Sequence, residues 1–431
     1  FKHLAMSRIR ELARIIAYHT DNIDQYLISN NHPSPSFEIG VPEASSIPVA
    51  LQKSRELVIE ATTELKELLQ GPKELLMTNS SSQLLSLRAI YHYRMAQTFP
   101  VGGEATFQQI SESCGLNEPD VRRILRHAMA HRIFREVRKG VVVHTGASQL
   151  LAQNQQLQSW TGVCVEEMWP SAVQAVPAMI KWPNSQEPSH TGFAIANNTS
   201  DPFYMVFKKD QKRAARFGEG MSAFATGPGY EAQHVVDYKI WSSLGRGLVV
   251  DVGGSHGDFM IAVAAKYPFL KFVVQDLPST VESRPEISRD LDIRVTFMPY
   301  DFFTEQPVKN ADVYFFRWIY HNWSDGYCVR ILRNLIPALK AGSRIVIQDA
   351  CLPEPNTLPI MAERRIRSMD LSMLQIQNAR EREEQDWKSL FKEADARFKF
   401  EGVQQPQGSK LAFIQASWES VSSDTTVVSG I

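Results

Sequence analysis

Cysteine is scarce: there are four in 431 residues, Cys114, Cys164, Cys328 and Cys351, scattered without CxxC spacing. That pattern excludes a disulfide-stapled scaffold and a cysteine-built structural zinc site, and no metal is expected. Long apolar runs are missing too. None approaches the ~20 residues of a membrane span, and the N-terminus lacks the charged-then-apolar order of a signal peptide. The opening FKHLAM reads as an appended stretch before a native Met6. Nor is there excess charge of either sign: 46 Lys and Arg face 47 Asp and Glu, a net charge of -1. Such a balance gives no electrostatic reason to bind nucleic acid or an anionic membrane, so neutral or small partners are expected. What remains is an ordinary soluble composition, 43% hydrophobic and 22% charged, for which a reducing cytoplasm is the expected compartment. The length exceeds what one core usually serves and predicts more than one domain.

The pattern changes several times along the chain. Residues 1–80 form an all-helical arm, with helical periodicity in SRIRELARIIAYHTDNIDQYLI and VALQKSRELVIEATTELKELLQ on either side of a Pro- and Ser-rich stretch. Over 81–150, TFQQISESCGLNEPDVRRILRHAMAHRIFRE predicts helix, turn and helix before the strand-like GVVVHT, the outline of a winged helix. Its second helix and the segment after it carry Arg122, Arg123, Arg126, Arg132 and Arg135, so DNA reading is one alternative; Glu112, Glu118, Asp120 and Glu136 dilute that field. Residues 151–235 read as helical and rich in aromatics and methionines, material for an apolar pocket wall. From 236 to 418 strands and helices alternate, predicting an α/β fold with a doubly wound, mostly parallel sheet. RFKFEGVQQ and KLAFIQASW close it as a hairpin, and 419–431 form a polar tail.

LVVDVGGSHGDFM is a buried strand, a glycine loop and a helix. Gly253, Gly254 and Gly257 do not match a dinucleotide GxGxxG, since Ser255 and Asp258 stand where that spacing needs glycine. Asp251 before the loop and Asp258 at the helix start would repel a pyrophosphate, and suit a ligand carrying an ammonium or a sulfonium instead. Asp276, at the end of the next strand, is placed to accept hydrogen bonds from two ribose hydroxyls.

VDVGGSHGDF, QDLP, YDFF, FFRWIYHNWSD, IVIQDACLP and NARERE occur in the order found in S-adenosylmethionine-dependent O-methyltransferases of the plant caffeate-type class. The chain resembles above all fungal members that methylate polyketide or other aromatic secondary metabolites, over about residues 80 to 415. The resemblance implies a Rossmann-like methyltransferase domain that binds S-adenosylmethionine and a homodimer built on the winged-helix region. It implies an aromatic small-molecule substrate bearing a phenolic or enolic hydroxyl. Gly253, Gly254 and Gly257 would shape the cofactor loop, Asp276 would hold the ribose, Asp301 and Phe302 would flank the adenine, and Arg317 stands where many members have lysine. Ser255 replaces a glycine of the fullest motif, and Asn322 stands where plant members often carry aspartate. A second implied reading is a pericyclase or lyase on this scaffold, in which the sulfonium is a static electrostatic element.

In such a methyltransferase the protein must supply a base, and His321 is the candidate. It follows the strand DVYFFRWI, while Ser324 reads as the N-cap of the next helix and leaves the histidine free of that role. A phenol near pKa ~10 and an imidazole near ~6.5 leave prior deprotonation uphill by about 5 kcal/mol, a gap that acidic partners narrow. By resemblance those partners are Asp349, often glutamate in plant members, and Glu381, which lies in a charge run with Glu383 and Glu384.

Overall fold

The computed structural model describes residues 6–41, 48–78, 81–225, 227–284 and 286–419. Residues 1–5 of the opening stretch and 420–431 of the expected tail lie outside them. The chain forms two compact units: residues 1–170, 210–224 and 359–363 make one, and 171–209, 225–358 and 364–431 make the other. The aromatic-rich segment 151–235 therefore contributes to both.

In the first unit the long helices Arg8–Ser29 and Val49–Met77 bury Leu12, Leu27 and Ala61. The second bends at Gly71, whose φ of 69° only glycine adopts freely, just before Pro72, which cannot donate to the helical ladder. A smaller module follows, with β1 (Glu104–Thr106), helices Phe107–Cys114 and Glu118–Ala130, β2 (Arg135–Arg138) and β3 (Val141–Val143). The strands pair antiparallel in the order β1-β3-β2. Local chemistry sets its breaks: Thr106 and Gln109 form a capping box, Gly115 ends the first helix at φ 77°, and the Asn117 side chain caps the second. Ile110, Val121, Leu125, Phe134 and Val142 fill its core. Four of the five arginines pair with carboxylates: Arg122 with Glu118, Arg123 with Asp120, Arg126 with Glu136 and Arg135 with Glu38.

The second unit holds β4 (Leu248–Val252), β5 (Lys271–Asp276), β6 (Val295–Pro299), β7 (Val313–Arg317), β8 (Arg344–Asp349), β11 (Phe398–Gln404) and β12 (Ala412–Trp418) in one sheet, ordered β11-β12-β8-β7-β4-β5-β6. β6, β5, β4, β7 and β8 are parallel, and the β11–β12 hairpin adds the antiparallel edge. Alternate residues feed two cores, one on each face: Tyr314, Phe316, Ile345, Ile347 and Ile414 on one, Val313, Phe315, Val346 and Phe413 on the other. Burial on both faces is why these strands appear as continuous apolar runs. Strand order reverses at β4, between β5 and β7, so a crevice opens at the carboxyl ends of those strands. Beyond β8, two short strands, β9 (Cys351–Leu352) and β10 (Arg382–Glu383), pair in parallel with Arg382 opposite Cys351. That register brings the chain just before β10 level with the end of β8.

Candidate functional site

The site is built at the carboxyl ends of β4, β5, β7 and β8. After β4 the chain turns through Gly253 (φ 75°), Gly254, Ser255 (φ 52°) and Gly257 (φ 80°) into the helix Asp258–Lys266. The amides of Gly253 and Gly254 both donate to Gln275 O, at 2.8 and 3.0 Å. Neither glycine has room for a side chain: a Cβ on Gly253 would lie 2.4 Å from Ile319 Cδ1, and one on Gly254 2.3 Å from Asp251 Oδ2. Asp276, ending β5, accepts from the Ser255 amide (2.9 Å) and the Leu277 amide (2.7 Å), which fixes both oxygens and leaves lone pairs for a ligand. Asp251 is buried beneath the loop, and burial, reinforced by the Asp276 charge, pushes it up to about 7.

Two further expected residues lie after β6. Asp301 is exposed and accepts from the Phe303 amide at 2.9 Å, while the Phe302 ring packs edge-on against Phe303 and Trp323 and borders Gly253. Arg317, ending β7, stacks on Phe259 at 4.0 Å and on Trp318 at 5.0 Å. It donates to the Gln348 side chain and, at 3.2 Å, to Tyr230 O, while its Nε is buried without a hydrogen-bond partner. Burial pulls this guanidinium down to about 10 against the raising charges of Asp349 and Asp251.

His321 lies one turn further on, in the short 3-10 turn Tyr320–Asn322. The turn is entered through Trp318 at φ 53°, a left-handed conformation that costs a bulky residue about 1–3 kcal/mol and marks a position held by its surroundings. The imidazole Nδ1 lies 2.9 Å from Glu381 Oε1, and the ring stacks with Trp318 at 6.5 Å and 18°. Glu381 is itself tethered, its amide donating to Asp370 Oδ1 at 2.8 Å. Asp349 plays a different part from the one expected. It reaches the His321 backbone amide at 3.2 Å, not the ring, so of the two carboxylates only Glu381 holds the imidazole. Burial pushes Asp349 up to about 7 although the His321 charge opposes this. Burial also works against a charged imidazole, but Glu381, by charge and hydrogen bond, and then Asp349 outweigh it and raise His321 above its ordinary value. With Nδ1 committed to Glu381, Nε2 is the nitrogen left for a ligand.

Ser324 occupies the N-cap position of the helix Asp325–Leu335 without capping it; its hydroxyl donates to Gln186 O at 2.8 Å. The cap comes from the Gln186 side chain, whose Oε1 accepts from the Gly326 amide at 2.6 Å. Sequence reasoning missed Gln186, and also missed the strained Trp318 and the pair in which Gln377 donates to Asn322 Oδ1 at 2.6 Å. Only Asn322 carried a signal, by its place beside the histidine. Among the described residues no group of three or more His, Cys, Asp or Glu could hold a metal ion.

The chain is 40% identical over 419 residues to the grayanic acid biosynthesis cluster O-methyltransferase of Cladonia grayi, covering 96% of this chain and 88% of that protein. It belongs to the O-methyltransferase family. The family model for the O-methyltransferase domain matches residues 189–397, a span that contains every candidate catalytic and cofactor residue described above. A second O-methyltransferase, the chlorophenol O-methyltransferase of Trichoderma longibrachiatum, is 39% identical, with 96% of this chain and 91% of that one covered. Among solved structures, OxaC in complex with sinefungin and meleagrin shares the fold at TM-score 0.72 and 22% identity, covering 94% of this O-methyltransferase and 99% of that chain. A structure described as a pericyclic reaction enzyme shares it at TM-score 0.68 and 22% identity, with 87% and 96% covered.

Proposed function

We propose that this O-methyltransferase moves a methyl group from S-adenosylmethionine to a phenolic or enolic hydroxyl of an aromatic, polyketide-type small molecule, with His321 as general base. The observation that carries the reading is the buried His321–Glu381 hydrogen bond, on the same sheet edge as a glycine loop whose Gly253 and Gly254 have no room for a Cβ. That loop suits the cofactor: its glycine backbone turns tightly at the carboxyl end of β4, and the Asp276 carboxylate beside it, held by the Ser255 amide, keeps lone pairs that could accept from ribose hydroxyls. Gly253, Gly254, Gly257, Asp276, Asp301, Phe302 and Arg317 would hold S-adenosylmethionine. When bound, this cofactor supplies a methyl group already activated by its sulfonium.

The remaining work falls to the protein's own groups. His321 Nε2 accepts the hydroxyl proton as the nucleophilic oxygen forms, and Glu381 stabilises the imidazolium across Nδ1. Asp349 pins the backbone beneath it. Because Glu381 raises the imidazole, the ~5 kcal/mol gap to a free phenol shrinks. The chlorophenol enzyme supports a phenolic acceptor, and the biosynthesis-cluster relative supports a place in secondary metabolism. A static-sulfonium pericyclase has no general need for a carboxylate-braced imidazole, and the relative of that kind shares only the fold. The module at 81–150 is read as a winged helix used for dimerisation. Four of its five named arginines are engaged with carboxylates, which tells against DNA reading. A cytoplasmic place is part of the reading; no described helix is long and apolar enough to cross a membrane.

Incubation with methyl-labelled S-adenosylmethionine and a panel of phenolic polyketides tests the proposal. Label should appear as an aryl or enol methyl ether, with S-adenosylhomocysteine in equal amount. Conversion of an acceptor without label, at undiminished cofactor, would favour the pericyclic alternative.

A further inference from the structure

Next to Glu381 in the chain stands Arg382, whose side chain has no exposure to solvent. Burying a guanidinium costs several kcal/mol unless every donor is met. Here all five have acceptors. Nε donates to Asp325 Oδ1 at 2.9 Å; Nη1 donates to Tyr320 O at 3.0 Å and Arg380 O at 3.4 Å; Nη2 donates to Trp323 O at 2.8 Å and Cys328 Sγ at 3.3 Å. Two of these acceptors, the carbonyls of Tyr320 and Trp323, bracket His321. Arg382 also follows Glu381 directly, as the first residue of β10, and the two side chains make separate contacts. Glu381 thus meets the imidazole while its neighbour grips the backbone on which the imidazole is mounted. The grip is anchored behind by Asp325, which Arg380 also holds at 2.8 Å, and the guanidinium lies 5.3 Å from the Trp387 ring centroid.

We infer that Arg382 is a positioning residue: its guanidinium locks the 320–323 turn to the segment that carries Glu381, so that His321 and Glu381 meet in a single geometry. This rests on the reading of His321 as the base. A lysine cannot do the same, because one ammonium cannot span carbonyls on both sides of the histidine and a carboxylate beyond them. The charged groups facing His321 are Glu381 and Arg382 from the β10 segment and Asp349 from the end of β8, and of these Arg382 alone opposes imidazole protonation.

The test is a pH profile of kcat, per folded molecule, with KM for S-adenosylmethionine, in wild type, Arg382→Lys, Arg382→Gln, Asp325→Asn and His321→Ala. Arg382→Lys should lower kcat on the order of 10²-fold, the scale of an ångström misplacement at a reacting group, with KM unchanged. Arg382→Gln should in addition move the acidic limb to higher pH, since the opposing cation is gone. Asp325→Asn alters a partly exposed side chain and keeps the arginine, so it serves if the Arg382 variants do not fold; it should lower kcat several-fold. Preserved kcat per folded molecule in Arg382→Lys, or in Asp325→Asn where that variant decides, would overturn the inference even if melting temperature falls. His321→Ala separates the two claims. An acidic limb that survives there removes the base reading itself, whereas a limb lost there but unmoved in the folded Arg382 variants, with kcat intact, removes only this inference.

Discussion

An imidazole whose Nδ1 is held by a buried carboxylate is both oriented and made more basic; at this site Glu381 orients the ring and makes the larger contribution to its basicity, with Asp349 adding to it. With His321 as the proposed base the neutral ring would be the active form, so kcat should rise with pH through a value above the ordinary 6.5 of histidine. Glu381→Gln keeps the shape and removes the charge. Its acidic limb should therefore move to lower pH, and kcat should fall by about 10²-fold as the imidazolium loses its counter-charge. A limb that stays in place would mean that Glu381 does not set the basicity of His321. Sequence made His321, the loop glycines and Asp276 legible because each follows a strand at the edge of an alternating strand–helix pattern, where ligands bind. It left Glu381 uncertain because NARERE looks like a solvated charge run. What internalises Glu381 is the pairing of β10 with β9, a two-residue strand contact that no periodicity announces. Asp349 was legible as a strand-end carboxylate near His321, but its engagement with the backbone amide follows from the path of the 3-10 turn.

At the scale of elements, the parallel strands were legible because burial on both faces forces runs such as VYFFR and RIVIQ, and the β11–β12 hairpin because its strands lie close in sequence. The helix start at Asp325 was legible too, but its cap was not. Ser324 has the right chemistry and position, yet its hydroxyl is drawn to Gln186 O, and the amide is served by a glutamine 140 residues away in sequence. Gly326 belongs to the same fit: a Cβ there would sit 2.8 Å from Gln186 Oε1. Gln186→Ala should cost about 1 kcal/mol, as loss of an N-cap does, and lower the melting temperature by roughly 2 °C. A Ser324→Ala variant that melts lower than Gln186→Ala would return the capping role to the serine.

At the scale of the whole molecule, the described part of the N-terminal arm leaves Ile9, Tyr18, Ile28, Leu68, Leu69 and Leu76 exposed. So much apolar surface on paired helices is what a second copy of the chain would cover. Light scattering should give twice the chain mass, and removal of residues 1–75 should lower solubility or activity; a fully active, monodisperse monomer after that deletion would refute the dimer. The division of residues 151–235 between the two units was not legible, since helical periodicity does not say which core a helix joins. Whether a carboxylate-braced His321 removes the acceptor's proton is decided by single-turnover methyl transfer across a pH series in wild type and His321→Ala, with a melting curve of each. A general base at this position implies a loss of roughly 10²–10⁴-fold at neutral pH with cofactor affinity retained, shrinking as pH nears the phenol's own ~10, where solution supplies the anion. Equal rates at neutral pH, or a fall that tracks unfolding alone, would contradict it.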